Sequence, residues 1–406
     1  MLWSRKSEPV YDRIRAVGLD LTASRVRAEA LGSKCRPLVL DEPETELPLF
    51  IAGERRVPVV GRAAVALCRR LPHVVCANFL ASLNQPREWK IGRHTLTAEM
   101  ALGLIFETIR KPVLGETEAI GLALPAYLAP AQVTQMAATA HRAKLPLKGT
   151  TVGALALVAD NAASLLRGSP PSSVRPWAEW VVPLRSEPRP AAVVVVVDVD
   201  ECALSAVLVQ VNPDRVKIAA AAAWPRLAHK IWKDRLLDAV ADRCVRLCRR
   251  DPRDSAEAEQ SLYDQLDNAL DRCRAGQRIS LTIRTAHWFQ DILLQPEEFE
   301  SYCHTLSRLA GESIRDFIHG SGLLEPPAVV WLTDAAGRLP GLVGALHANT
   351  SEATAIEVLP PHAVAAATAA LVPRWLAGDL PRTHLDNVIP LELPTALTPH
   401  AQPGAK

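Results

Sequence analysis

The chain has 406 residues, 49% apolar and 22% charged, the balance of a globular protein long enough for more than one structural unit. Lysine and arginine outnumber aspartate and glutamate by only 46 to 44, which excludes a general nucleic-acid or acidic-membrane binder. The opening MLWSRKSEPVYDR lacks the apolar core of a secretory signal, and no apolar run approaches the ~20 residues that span a bilayer. The eight cysteines are scattered, only Cys244 and Cys248 falling at helical spacing, so buried reduced thiols in a cytoplasmic setting are expected.

In chain order, the first apolar strand is expected at Ala16 to Leu21 and a second at Val26 to Ala30. Leu102, Ile105, Phe106 and Ile109 share one helical face, with Thr97 as the cap before it. Ile120, Leu122 and Leu124 alternate as a strand. Pro130 then suits the first turn of an amphipathic helix, where its missing N–H costs nothing. Gly168 to Pro190 is rich in proline and serine and reads as a connector, with Trp177 and Trp180 pinning it to a neighbouring surface. Val193 to Val199 and Leu204 to Val211 are again strands. Ile231 to Cys248 is an amphipathic helix, and Leu262, Leu266, Ala269, Leu270 and Cys273 stripe another. Phe299, Leu306, Leu309, Ile314 and Phe317 predict a helix pair before a strand at Ala328 to Leu332, and His319-Gly320-Ser321-Gly322 ends a helix.

Apolar strand, Asp, short turn, apolar strand occurs twice: around Asp20 and again around Asp198. One unit used twice implies a cleft between two halves. No zinc-protease, nucleophile-elbow or Walker motif occurs, and the 11 histidines have no ligand spacing. Gly337, Gly341 and Gly344 are spaced for helix packing. Arg69-Arg70 and Arg249-Arg250 read as solvated helix ends, and His229 and Lys230 as surface residues.

The stretch Ala119 to Ala143 contains Pro125-Ala126-Tyr127 between strand and helix, and it resembles the "VPAYF–Q–A–A–A" crossover of DnaK-type heat-shock chaperones. Further motifs follow in family order. Val17-Gly18-Leu19-Asp20-Leu21 resembles "VGIDLGTT", and Asp198 stands where "DLGGGT" begins. Trp232 and Leu236 fall where "GGEDFDNRL" has its Phe and Leu, and Asp271-Arg272-Cys273-Arg274 is similar to "ERAK". Arg338-Leu339-Pro340 matches the end of "GGSTRIP", Pro361 to Ala365 resembles "PDEAVA", and Leu385 to Leu393 resembles "LLDVTPLSL". The resemblance implies an α/β chain of the actin-like two-lobed ATPase fold, each lobe a mixed sheet flanked by helices. Lobe I would cover 10–165 and be closed by a helix at 361–376. A connector would cover 166–190, and lobe II 191–358 with a helical subdomain at 226–278. A linker-like tail would cover 377–406, with the family's peptide-binding domain missing. The tail, Asp379 to Leu393, either docks on lobe II as in the family or is a remnant held open by its prolines.

The same resemblance assigns cofactor contacts to Gly18, Asp20, Asp198, Asp271, Arg274 and Arg338, for ATP or ADP with Mg²⁺ held weakly if at all. Asp20 and Asp198 are the candidates for metal-bound water and catalysis, unless they merely cap their turns. Asp271 and Arg274 either hold the base or belong to a solvated helix face. The glycines that aim amides at phosphate are gone. The first turn reads Thr22-Ala23-Ser24 and the second Asp200-Glu201-Cys202. Asp334 and Ala335 replace the two glycines of the adenosine loop, and Thr150 replaces a Glu. Left-handed non-glycine residues would cost roughly 1–3 kcal/mol each, so turns of another shape are expected. The carboxylates of Asp200 and Glu201 would repel phosphate. The expectation is a degenerate site: a chaperone-related binding or scaffold module with a protein partner, residual ATPase at most, and no nucleic-acid or membrane role. A slow ATP-hydrolysing clamp is the alternative, with a sugar kinase of the same superfold behind both.

Overall fold

Valine-rich segments with no polar alternation make strands that are buried on both faces, and two such strands organise this chain. Ala16–Leu21 is buried throughout, and Val194 to Val197 are nearly inaccessible within Ala192–Val199. The computed structural model describes residues 15–32, 35–167, 192–322, 326–381 and 387–391. The connector at Gly168 to Pro190, with Trp177 and Trp180, lies outside the described residues, as does most of the tail.

The architecture is mixed α/β with two six-stranded mixed sheets. In the first, the order is Leu147–Val152, Ala119–Leu124, Ala16–Leu21, Arg25–Ala30 and Arg36–Pro37, with Glu46–Pro48 also pairing along Arg25–Ala30. The second runs Ala355–Val358, Val329–Leu332, Ala192–Val199, Leu204–Asn212, Arg215–Trp224 and Val388–Pro390. Each has an antiparallel hairpin on one side of its central strand and two parallel strands on the other. The repeat expected around Asp20 and Asp198 is therefore a repeat of strand order as well. Asp20 pairs with Arg27 across the first hairpin, and Asp198 with Ser205 across the second.

Helices Gly153–Arg167 and Ala363–Ala377 pack together in one shared apolar layer. Ala16 and Ala119 reach that layer from the first sheet, and Val194, Val196 and Trp331 from the second. The other face of the first sheet is covered by Ala98–Leu114 and Pro130–Arg142. The other face of the second carries His229–Cys248 and Pro296–Gly320. Thr97 caps its helix by accepting from the Met100 amide at 3.2 Å, as expected.

Gly18 lies under Ala363–Ala377, where an added Cβ would sit 2.0 Å from the Ala365 carbonyl oxygen. Gly149 leaves the same kind of room for the Trp375 ring, at 2.2 Å. The expected helix pair around Phe299 to Phe317 is one helix, Pro296–Gly320, since nothing in it breaks the ladder. The stripe from Leu262 to Cys273 is split into Ala256–Tyr263 and Leu266–Arg274. At the break, the Gln265 side chain binds Thr282 of the neighbouring strand instead, donating to its carbonyl at 2.7 Å and accepting from its amide at 2.8 Å. Part of the tail does join the fold: Val388–Pro390 pairs antiparallel with Arg215–Trp224.

Gly18→Val is expected to cost about 3 kcal/mol or more by overpacking. Gly344→Ala, in an exposed helical position with nothing within 4 Å, should stabilise by up to about 1 kcal/mol. Urea denaturation of the two variants measures both.

Candidate functional site

The two hairpins bring their turns together. Neither contains a left-handed residue: the described non-glycine residues with positive φ are Asn78, Asn84, Lys144 and Arg249. Without glycine, the turns take another shape. Thr22 closes the first one, its hydroxyl oxygen accepting from the Ser24 and Arg25 amides, both at 3.3 Å. Asp200 closes the second, accepting from the amides of Cys202 at 2.8 Å and Ala203 at 3.0 Å.

Asp200 also joins the two turns. Its other carboxylate oxygen accepts from the Ala23 amide at 3.0 Å and from the Tyr127 hydroxyl. In return, the Glu201 amide donates to the Ser24 hydroxyl oxygen at 2.9 Å. The amides of Ala23, Ser24, Arg25, Glu201, Cys202 and Ala203 thus all have partners from the chain itself. Asp200 is only 2% exposed. Burial pushes its carboxyl above the ordinary range, against the pull of Tyr127 and the three amides. Sequence reasoning placed Asp200 here as a source of repulsion. It is also the anion that the two turns bind.

Asp20 and Asp198 do come together, as expected. Both line a cavity of about 30 Å³ beneath the turns, with Thr22, Ser205 and Thr333, large enough for about one water. Asp198 accepts from the Thr333 hydroxyl at 2.5 Å. Burial raises both carboxyls, and Asp20 and Asp200 add repulsion at Asp198, which is pushed to about 7. Among the described residues no group of three or more His, Cys, Asp or Glu side chains is arranged to hold a metal ion.

A separate polar cleft of about 730 Å³ is lined by Asp271, Arg274 and Arg338, among others. They are occupied with one another and with Asp334. Asp334 bridges Arg27 of the first sheet, at 3.1 Å, and Arg274, at 2.8 Å. Burial works to raise the Asp334 carboxyl, but Arg274 and Arg27 hold it below its usual range. Arg338 binds Asp271 at 3.0 Å and the Asp267 carbonyl at 2.7 Å, and Lys233 binds Asp267 at 2.9 Å. Arg27 further holds Glu46 at 3.0 Å and donates to the Pro361 carbonyl at 2.5 Å.

Two surface expectations fail. His229 is buried beside Glu201 at 3.3 Å in the cleft lining, its amide donating to the Asp200 carbonyl at 2.8 Å. Arg69 is no solvated helix end: its side chain pairs with Asp234 and, at 3.4 Å, with Glu259. Gln260 accepts from the amides of Arg69, at 2.7 Å, and Arg70, at 3.1 Å, and donates to the Val65 carbonyl at 3.0 Å. The cleft is therefore bridged at its turns and again at this clasp. Sequence reasoning missed Arg25, Arg27 and Glu46. The alternation Arg25-Val26-Arg27-Ala28-Glu29-Ala30 carried the signal, since every second residue of a strand faces one side.

No known family model matches the chain, and no curated protein is significantly similar to it in sequence. No helix among the described residues is long and apolar enough to cross a membrane.

The raised Asp198 carboxyl fixes a sign. Between its ordinary value near 3.8 and about 7, the unfolded chain releases a proton that the folded chain keeps. The contribution of Asp198 to stability therefore falls as pH rises through that window and levels off above it. Asp198→Asn should remove this contribution, so that its Tm relative to the native chain rises between about pH 5 and about pH 8. Thermal melts across that range measure it, and parallel pH profiles would refute the assignment.

Proposed function

We propose that the chain is a DnaK-like, actin-like two-lobed clamp whose nucleotide site is filled by its own side chains, acting as a chaperone-related binding or scaffold module. Lobe I would comprise about 10–165 with the closing helix, and lobe II about 191–358 with the helical subdomain 226–278. The matching strand orders of the two sheets support this, as does the cleft between them. A cytoplasmic setting and a protein partner belong to the same reading.

One observation carries it: the Asp200 carboxylate takes the amides of both turns. A phosphate seated there would have to displace an acceptor with four donors, and a displaced but still buried carboxylate would repel it. Asp334 adds a second obstacle, because its bridge from Arg27 to Arg274 crosses the space where a nucleoside would approach. Each lost transition-state contact costs on the order of 3 kcal/mol. Asp20 and Asp198 alone would leave little hydrolysis.

Calorimetric titration with MgATP and MgADP tests the reading. Binding weaker than about millimolar, with no rise in Tm, is expected. A micromolar constant that Asp198→Ala weakens would replace it with the slow ATP clamp. Asp200→Ala should destabilise by about 3 kcal/mol, since it strands three amides and the Tyr127 hydroxyl. Urea denaturation measures that loss.

A further inference from the structure

We propose that Cys244 and Cys248 are a reversible modification site. They exchange with a low-molecular-weight disulfide of the glutathione type and close a disulfide across the last turn of helix His229–Cys248. The inference is independent of the state of the nucleotide site. All eight cysteines are free, and the sulfurs of this pair lie 3.5 Å apart. The Cys248 thiol also donates to the Cys244 carbonyl oxygen at 3.3 Å, which keeps its sulfur over the preceding turn.

The two thiols differ in access, and this sets their order of reaction. Cys244 is fully buried in the apolar layer that covers the second sheet. Burial first, and the neighbouring Cys248 sulfur second, push its thiol up to about 12. Cys248 is half-buried and closes the helix, so of the two it is the one that a solute can reach. The thiolate is the attacking form. Cys248 therefore enters the exchange and Cys244 completes it.

In the first step the Cys248 thiol gives its proton to water and its sulfur attacks one sulfur of oxidised glutathione. The glutathione S–S bond breaks, one glutathione thiolate leaves and takes up a proton, and a mixed disulfide remains on Cys248. Cys244 then gives up its own proton, bonds to the Cys248 sulfur and expels the second glutathione. The protein loses two hydrogens and two electrons, and the glutathione disulfide gains both.

Helix geometry accounts for the reversibility. Residues four apart have Cα atoms about 6 Å from each other, inside the range that a disulfide spans. Their Cβ atoms stand about 5–6 Å apart, beyond the ~4 Å that a relaxed disulfide takes. Closing the bond draws the turn inward under strain, and strained disulfides are the readily reduced ones. The position permits the adjustment. Cys248 is the last helical residue, and Arg249 after it already turns left-handed, at a φ of 60°. A pair in mid-helix would be held against the same pull by hydrogen-bonded turns on both sides; this one is held on one side only.

Equilibration of the full chain in glutathione buffers of graded ratio tests this, with acid quenching, alkylation of free thiols, tryptic digestion and mass spectrometry. Trypsin cuts after Arg243, Arg246 and Arg249. The disulfide therefore joins the peptide Cys244 to Arg246 with the peptide Leu247 to Arg249, which separate when the chain is reduced. The joined pair should dominate with oxidised glutathione alone and vanish at about a hundredfold excess of reduced glutathione. Cys244→Ser should stop at a stable glutathione adduct on Cys248, and Cys248→Ser should leave Cys244 unmodified. Should either variant unfold, the digest of the native chain decides. No joined pair with oxidised glutathione, a Cys248 adduct that the native chain never resolves, or a joined pair that survives the excess of reduced glutathione would overturn the proposal. So would Cys248 joined to Cys273 or Cys303 instead of Cys244.

Discussion

The Asp200 carboxylate is the constraint around which the centre of this molecule is arranged. It ends the first strand of the second sheet, shapes the turn that follows, and reaches across to the Ala23 amide of the first sheet. Tyr127, from the loop after a third strand, supplies a fourth donor. A buried carboxylate is tolerable only when its lone pairs are used, and here they are. Because one side chain satisfies donors from three separate segments, the relative position of the two hairpins follows from it.

The ion pairs above the turns work differently. Arg27 and Asp334 are nearly inaccessible, whereas Arg274, Asp271 and Asp267 are substantially exposed. Buried pairs give back much of their attraction in lost hydration, so this network is a weak source of net stability. Its effect is positional. Removing Asp334 would leave two guanidinium groups facing each other across the cleft, which is costlier than never having built the pair. The Arg69–Gln260 clasp is neutral at its centre, made of amides and a carbonyl, and responds less to salt.

Much of the fold was legible from residue pattern. Continuous apolar runs marked Ala16–Leu21 and Ala192–Val199 within a residue, because strands buried on both faces leave no other choice. Thr97 and Pro130 marked helix starts by local chemistry alone. What was not legible depended on long-range partners. Gln265, before the second of two short helices, takes its side-chain partner from the distant Thr282, and Gly18 serves a helix formed by residues near 365. The site was legible by halves. Missing glycines announced altered turns, but nothing local indicated that Asp200 would fold back and bind what the glycines had left. Arg27 and Glu46 were hidden as polar residues on a strand, a position that usually faces solvent.

The glycine-lined contact beneath Ala363–Ala377 bears on how the chain comes into being. Strand Ala16–Leu21 precedes by most of the described residues the helix that shields Gly18, Gly121 and Gly149. Until residues near 375 have left the ribosome, helix Gly153–Arg167 lies in that layer without its partner helix. Contacts of such wide sequence separation form slowly and keep apolar surface open to wrong partners in the meantime. The first sheet therefore reaches its native packing only after that helix has been made.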